Sequence, residues 1–358
     1  MDVMVNVTPT PYDVVIGPGT RRELDERVTN LLPDARRAVV VTQAAVAKQA
    51  WFAALTLSIP YEIVLIGDGE DAKNFSTIET LCRAFVEMGL SRGDVVVAVG
   101  GGLVSDVVGF AAAIYHRGVA SVTLSTTLLG QIDAAIGGKT GINLPEGKNL
   151  VGTFTQPLLV ICDTETLSTL DEAAWRCGRG EMAKYAFLGD AKPSTDILGE
   201  ALEEQVFRCV AIKAEVVASD ERESGHRMVL NYGHTLGHAI EAVGLDLRAQ
   251  GSLAPVTTMQ HGEAVAVGLA FAARLARRMG RIDDARVVLH EEILEGFGLS
   301  GALPGDLSAA ALLDAMSRDK KAHHDLTFVL DGPNGVEPVR GVDPAIVLAT
   351  LMDMGAKP

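Results

Sequence analysis

Residues 95–106 read Val-Val-Val-Ala-Val-Gly-Gly-Gly-Leu-Val-Ser-Asp, an apolar β-branched run that ends in three glycines. A run of this kind predicts a strand over 95–99, with the three glycines directly after it. A helix is expected to begin near Asp106. Strand, glycine turn and helix in that order can bring backbone amides to a pyrophosphate at a helix N-terminus. A triple glycine after a strand is equally a tight structural turn, and Asp106 is equally a helix cap.

Working outward, residues 38–42, 61–66 and 121–124 are further β-branched runs, and 75–89 has helical periodicity. The alternation predicts parallel strands joined by helices, and therefore an α/β fold with an N-terminal Rossmann-like nucleotide-binding domain over residues 1–178. Asp68-Gly69-Glu70, with Lys73 three residues on, follows a strand at the place where an acidic side chain meets a ribose hydroxyl. This order supports a dinucleotide without choosing between NAD and NADP. Beyond Gly178 the β-branched runs give way to Ala, Leu, Glu and Arg with helical spacing. Residues 179–358 are therefore expected to form a mainly α-helical domain, with helices over 200–220, 234–243 and 263–280 and a strand near 327–330. Residues 244–260, which carry Gly, Ser, Pro and Thr without periodicity, are expected to be a loop.

The chain has 358 residues, more than one hydrophobic core usually supports, which agrees with two domains. A net charge of −15 argues against nucleic acid or an anionic membrane as the main partner, since both need clustered cations. Cys82, Cys162, Cys177 and Cys209 are widely spaced in apolar surroundings and are expected to be reduced core residues. The N-terminus has no leader-like pattern and no uncharged run reaches membrane-spanning length, so a cytoplasmic location is the default expectation.

In Asn231-Tyr-Gly-His-Thr-Leu-Gly-His, His234 and His238 are one helical turn apart and face the same side; His261 follows in His-Gly-Glu. Histidines of this number, with a carboxylate from elsewhere, are the ligand types of a catalytic Zn²⁺ site that keeps a position open. Any one of them alone is more often structural. Glu181 and Lys184 share a helical face, which for an isolated pair means a surface ion pair. Polar residues are also set into apolar sequence at Asp133 and Lys139, and Lys148-Asn149 follows closely. Unpaired charge there would be costly. With Lys213, Arg227 and Lys320-Lys321 farther along, cations converging on one place would suit a substrate that carries both phosphate and carboxylate.

Taken together, Gly100-Gly-Gly with Asp106, Tyr115-His-Arg117-Gly, Thr126-Thr127, Asp133 with Gly137-Gly-Lys139, Gly147-Lys-Asn149, Gly180-Glu181-x-x-Lys184 and Asn231-x-Gly-His234-Thr-x-Gly-His238 resemble the dehydroquinate synthase family of sugar-phosphate cyclases. The resemblance runs from about residue 12 to 331. It implies Glu181, His234 and His261 as ligands of a divalent metal, Zn or Co. It implies Asp68, Glu70, Lys73, Gly101, Gly102, Asp106, Thr126, Thr127, Lys139, Lys148 and Thr169 as NAD-site positions. Lys139, Asn149, Asn231, His238 and one of Lys320 or Lys321 match positions around the substrate phosphate, and Arg117 joins them from the other subunit of a homodimer. Lys213 and Arg227 correspond to carboxylate contacts; Asp133, Lys184 and Glu223 to contacts with sugar hydroxyls.

The implied reaction converts 3-deoxy-D-arabino-heptulosonate 7-phosphate to 3-dehydroquinate and phosphate, a carbon–oxygen lyase step of the shikimate pathway, with NAD recycled in each turnover. The sequence departs from the family pattern at Arg179, in a shorter span over 189–210 and in a longer one over 244–260. These departures keep a paralogue of secondary metabolism, such as an aminodehydroquinate synthase, as the nearest alternative. A metal-dependent polyol or alcohol dehydrogenase is the alternative from another reaction class, but a neutral polyol has no need of so many cations.

Overall fold

The computed structural model describes residues 1–358 apart from 9, 190–192, 306 and 319–325. Lys320 and Lys321 therefore lie outside the described residues. The chain divides into two compact units, Met1–Asp171 with Ala201–Arg222, and Glu172–Glu200 with Glu223–Pro358.

The first unit is built on a seven-stranded sheet. In chain order its strands are β1 (Asp2–Val5), β2 (Tyr12–Gly17), β3 (Ala38–Gln43), β4 (Tyr61–Ile66), β5 (Val95–Gly100), β6 (Ala120–Ser125) and, after a separate hairpin of β7 (Lys139–Leu144) and β8 (Gly147–Phe154), β9 (Leu159–Asp163). Across the sheet they run β1-β2-β9-β6-β5-β3-β4, all parallel except β1. The valine runs are explained by burial on both faces. Val39, Val41, Val96 and Ala98 pack with Ile78, Leu81 and Phe85 of α4 (Phe75–Glu87) and Val104, Val107, Val108 and Ala111 of α5 (Gly102–Ile114). Val40, Val95, Val97 and Val99 face the other way, onto Leu24 and Val28 of α1 (Leu24–Leu31) and Phe52. Two single-turn helices, α2 (Ala44–Ala47) and α3 (Ala50–Ala53), link β3 to the edge strand β4.

Several expectations are corrected. The helix after the glycines begins at Gly102, so Asp106 lies within α5 and caps nothing. The helix expected over 200–220 is α7 (Leu202–Ser219), but it packs with the first unit, against β1, β2 and a π-helical turn at Gly130–Ala134. Periodicity shows that a segment is helical, not what it packs against. Of the cysteines, Cys162 and Cys209 are buried, while Cys82 and Cys177 are half-buried; all four are free thiols.

The second unit is helical: α6 (Glu172–Tyr185), α8 (His234–Ala249), α9 (His261–Arg278), α10 (Asp284–Gly296), α11 (Ala309–Arg318) and α12 (Pro344–Asp353), with a hairpin of β10 (Phe328–Leu330) and β11 (Glu337–Val339). The loop expected over 244–260 is mostly structured, because α8 runs on through Ala249 and a 3₁₀ turn forms at Pro255–Thr258. Helix α9 is apolar on nearly every side, as suits a helix packed by α6, α8, α10 and α12. No helix among the described residues is long and apolar enough to cross a membrane.

A buried aromatic cluster steadies this unit. His290 stacks on Phe187 with ring centroids 3.8 Å apart, its Nε2 is 2.7 Å from Tyr232 Oη, and its Nδ1 is 2.8 Å from Arg286 O. A carbonyl only accepts, so Nδ1 carries the proton and the neutral ring satisfies both contacts. Burial, opposed by the Arg286 carbonyl and by Asp331, pushes the His290 pKa down from 6.5 to about 4. The folded-state value is the lower one, so this stability is complete above pH 6.5 and is lost as acid protonates the unfolded chain first. Unfolding free energy followed by urea titration is expected to fall by about 3 kcal/mol from this group between pH 7 and 4. A His290→Gln variant should show a correspondingly flatter acid limb.

Candidate functional site

Apart from Lys139 and Lys148, which lie on the antiparallel β7–β8 hairpin, the dinucleotide positions expected from sequence in the first unit sit past the carboxyl ends of parallel strands. Asp68 and Glu70 follow β4, Gly101 and Gly102 follow β5, Thr126 and Thr127 follow β6, and Thr169 ends the 3₁₀ turn Thr164–Thr169 after β9. That edge of an open parallel sheet is where such folds bind ligands. The glycines themselves are demanded by packing. A Cβ on Gly100 would lie 2.4 Å from Val104, one on Gly101 2.8 Å from Thr127, and one on Gly102 2.8 Å from Ala134. The tight-turn reading therefore holds. The anion reading rests on the Gly102 and Leu103 amides that open α5, since the next two, of Val104 and Ser105, already donate to Gly101 O at 3.0 and 3.1 Å.

Beside this turn Lys73, 5% exposed, donates to Asp106 Oδ2 at 2.7 Å and Asn149 Oδ1 at 2.6 Å. Asn149 sits in the hairpin with φ +55°, and its amide donates to Asn143 Oδ1 at 2.8 Å. Asn143 in turn donates to Glu70 at 2.7 Å. Glu70, Lys73, Asp106 and Asn149 thus form one network, which Asn143, missed on sequence, completes. Burial, against the pull of Lys73, raises the Asp106 carboxyl from 3.8 to about 6.

Lys213 reaches from α7 to Asp133, contacting its carboxylate and, at 2.6 Å, its carbonyl. Lys139 and Lys148 are exposed on the β7–β8 hairpin, and Arg117 is exposed on a turn where His116 and Arg117 both have positive φ.

The second unit brings Glu181, His234 and His261 together. Each of these three residues has a glycine neighbour at a backbone-to-backbone contact. A Cβ on Gly180 would lie 2.0 Å from Gly262 O, on Gly262 1.9 Å from Cys177 O, and on Gly233 2.8 Å from Val265 O. α6, α8 and α9 therefore approach as closely as only glycine permits. α9 starts at His261 because Gln260 and Glu263 form a capping box, the Gln260 amide donating to Glu263 at 2.9 Å. Glu181 Oε1 then lies 3.1 Å from His234 Nε2 and 3.0 Å from His261 Nε2. Its Oε2 pairs with Lys184 Nζ at 2.5 Å, in a pocket where Glu181 is 0% and Lys184 1% exposed.

This donor set fits a divalent cation. His234 Nδ1 is 3.2 Å from Tyr232 O, so the proton sits there and a neutral ring turns the Nε2 lone pair toward a carboxylate oxygen. Two acceptors facing each other are satisfied by a proton or by a metal cation between them. Burial lowers the His234 pKa and so favours the neutral ring. Burial pushes Glu181 up, but Lys184 and the two histidines outweigh it and hold the carboxylate well below its usual range. Burial likewise opposes charge on His261, yet Glu181 and Glu241 raise it well above its usual value, so a metal arriving there displaces a proton.

His238, one turn after His234, is exposed, with its ring 5.4 Å from that of His234. Asn231 donates to Glu223 at 2.9 Å, and Arg227 is buried at 1% exposure in the 3₁₀ turn His226–Asn231. Arg179 lies over the Trp175 ring at 5.5 Å on the surface of α6. Sequence reasoning missed Glu241, whose signal was its place seven residues after His234. It also missed Tyr232, which acts through its backbone carbonyl and leaves no side-chain signature.

The sequence matches the 3-dehydroquinate synthase N-terminal family over residues 63–177 and the 3-dehydroquinate synthase C-terminal family over 178–322. A protein of Amycolatopsis mediterranei named "Putative aminodehydroquinate synthase" is 47% identical over 352 residues, 98% of this chain and 93% of its own. The 3-dehydroquinate synthase of Caulobacter vibrioides is 40% identical over 374 residues, covering 99% of both chains. Among solved structures, a 2-deoxy-scyllo-inosose synthase complexed with carbaglucose-6-phosphate, NAD⁺ and Co²⁺ superposes with a TM-score of 0.82 at 25% identity, over 99% of this chain and 100% of that one.

Proposed function

Since the chain belongs to the 3-dehydroquinate synthase family of sugar-phosphate cyclases, we propose that it is a phosphate-eliminating lyase that converts 3-deoxy-D-arabino-heptulosonate 7-phosphate to 3-dehydroquinate with NAD and one divalent metal, Zn or Co. The observation that carries this reading is the buried Glu181, His234 and His261 donor set with Lys184 and Arg227 buried in the same unit. When bound, NAD supplies a reversible hydride acceptor and the metal supplies Lewis acidity at a substrate hydroxyl.

The chain's own residues do the holding. In this reading residues 1–178 bind NAD, through Asp68, Glu70, Lys73, Gly101, Gly102, Asp106, Thr126, Thr127, Lys139, Lys148 and Thr169, and residues 179–358 bind the metal. Lys139, Asn149, Asn231 and His238 grip the phosphate, with Arg117 contributed across a homodimer. Lys213 and Arg227 take the carboxylate, and Asp133, Lys184 and Glu223 orient the ring hydroxyls. A phosphate fixed in this way can accept the proton whose loss precedes its own departure, so a separate protein base is not required.

The test is incubation with the heptulosonate phosphate, NAD and Zn²⁺ or Co²⁺, following phosphate release and absorbance at the NADH wavelength together. Phosphate is expected to appear with the cyclic product and without net NADH. NADH that accumulates without phosphate would mean a dehydrogenase. A second reading, the same cyclisation on a substrate in which an amino group replaces one ring hydroxyl, is favoured by the 47% identical relative. A kcat/KM for the amino substrate above that for the heptulosonate phosphate selects it.

A further inference from the structure

The surroundings of His261 point to a role for Glu241, an inference that rests on reading Glu181, His234 and His261 as metal ligands. Glu241 follows His234 by seven residues, two turns along one face of α8. Its Oε2 is 3.0 Å from His261 Nδ1, while His261 Nε2 is 3.0 Å from Glu181 Oε1. We infer that Glu241 is a positioning residue that fixes the plane of the His261 ring and keeps its proton on Nδ1, leaving the Nε2 lone pair for the metal.

The two histidines reach this state by different means. His234 Nδ1 donates to the backbone carbonyl of Tyr232, two residues away, a neutral acceptor supplied by the local chain. His261 opens α9, and its Nδ1 is met by a side chain from another helix. A carboxylate acceptor fixes the tautomer and makes the ring a stronger donor to a cation than a carbonyl does. The orientation of His261 therefore depends on one substitutable group, whereas that of His234 is tied to the chain path.

The same carboxylate could serve another arrangement. His238, Glu241 and His261 also bring ligand atoms within 4.8 Å of one another, as a second cation would need. If His261 already binds one cation through Nε2, joining a second through Nδ1 requires that nitrogen to lose its proton and become an imidazolate. The 3.0 Å contact to Glu241 is the length of a hydrogen bond that keeps the proton in place. One cation, with Glu241 behind its histidine, is the arrangement this geometry favours.

The experiment uses the full chain stripped by chelator and reloaded with Co²⁺, in Glu241→Leu, Glu241→Gln and His261→Ala variants. Affinity is read by competition with a chromophoric chelator, coordination by the visible Co²⁺ spectrum, and folding by the melting temperature of the metal-free protein. Glu241→Leu should weaken Co²⁺ binding about 10- to 100-fold and shift the spectrum. Glu241→Gln, whose amide oxygen still accepts from Nδ1, should recover most of both, at a similar melting temperature. Wild-type affinity and spectrum in Glu241→Leu, with binding destroyed in His261→Ala, would overturn the role of Glu241. Unchanged binding in His261→Ala would instead overturn the ligand set itself. Two Co²⁺ per wild-type chain falling to one in Glu241→Gln would mean that Glu241 is a ligand of a second cation, and would overturn the positioning role.

Discussion

Glu181→Gln is expected to leave a protein that retains no divalent metal through desalting and is less stable than the parent by about 3–5 kcal/mol. Both effects come from one carboxylate. Its Oε1 faces the Nε2 atoms of His234 and His261, and its Oε2 faces Lys184 at 2.5 Å, with Glu181 and Lys184 both essentially inaccessible to water. An amide of the same shape fills the space and removes the charge. The buried ammonium then loses its counter-charge, and this, more than the loss of a favourable pair, is the destabilising event. The two effects separate in Glu181→Gln/Lys184→Met, where neither charge remains. Urea titration of the metal-free double variant should show most of the stability regained, while equilibrium dialysis shows no return of metal binding. A Glu181→Gln variant as stable as the parent would mean that Lys184 does not depend on this carboxylate for its burial.

The sequence carried different parts of this structure with different clarity, for physical reasons. Strands β3 and β5 were legible because valine runs covered on both faces admit few other readings, and the order of strand and helix then implied a parallel sheet. The β7–β8 hairpin was not legible: Gly147–Phe154 is largely exposed and contains Gly, Lys and Asn in place of a β-branched run. The unit to which α7 belongs was equally hidden, since periodicity does not name a partner. At the site, the spacing of His234, His238 and His261 suggested a metal, but the carboxylate came from the family resemblance. Glu241 could have been found by carrying the helical spacing one turn beyond His238. The carbonyl of Tyr232 could not, because every residue has one.

The most informative substitution outside Glu181, His234 and His261 is Gly262→Ala, a single added methyl. Its Cβ would stand 1.9 Å from Cys177 O, 2.6 Å from Cys177 C and 2.8 Å from Cys177 Cα, all backbone atoms of α6. No rotamer change relieves such a contact, so α6 and α9 must move apart by roughly 1.5 Å to reach an ordinary carbon–oxygen separation. Gly180, three residues after Cys177 on the same helix, also meets Gly262, and Glu181 and His261 are the residues next to these two glycines, so the helix displacement passes directly into the candidate metal site. Ligand distances in a metal site tolerate about 0.2 Å. Loss of tight metal binding is therefore expected along with a destabilisation of about 3 kcal/mol from overpacking. Gly199→Ala is the control: a Cβ there has no neighbour within 4 Å, and its stability should stay within about 0.5 kcal/mol of the parent. Metal affinity and urea midpoints of the two variants, measured side by side, check the claim. Gly262→Ala with parental affinity would show that the ligand spacing does not depend on the contact of α6 with α9.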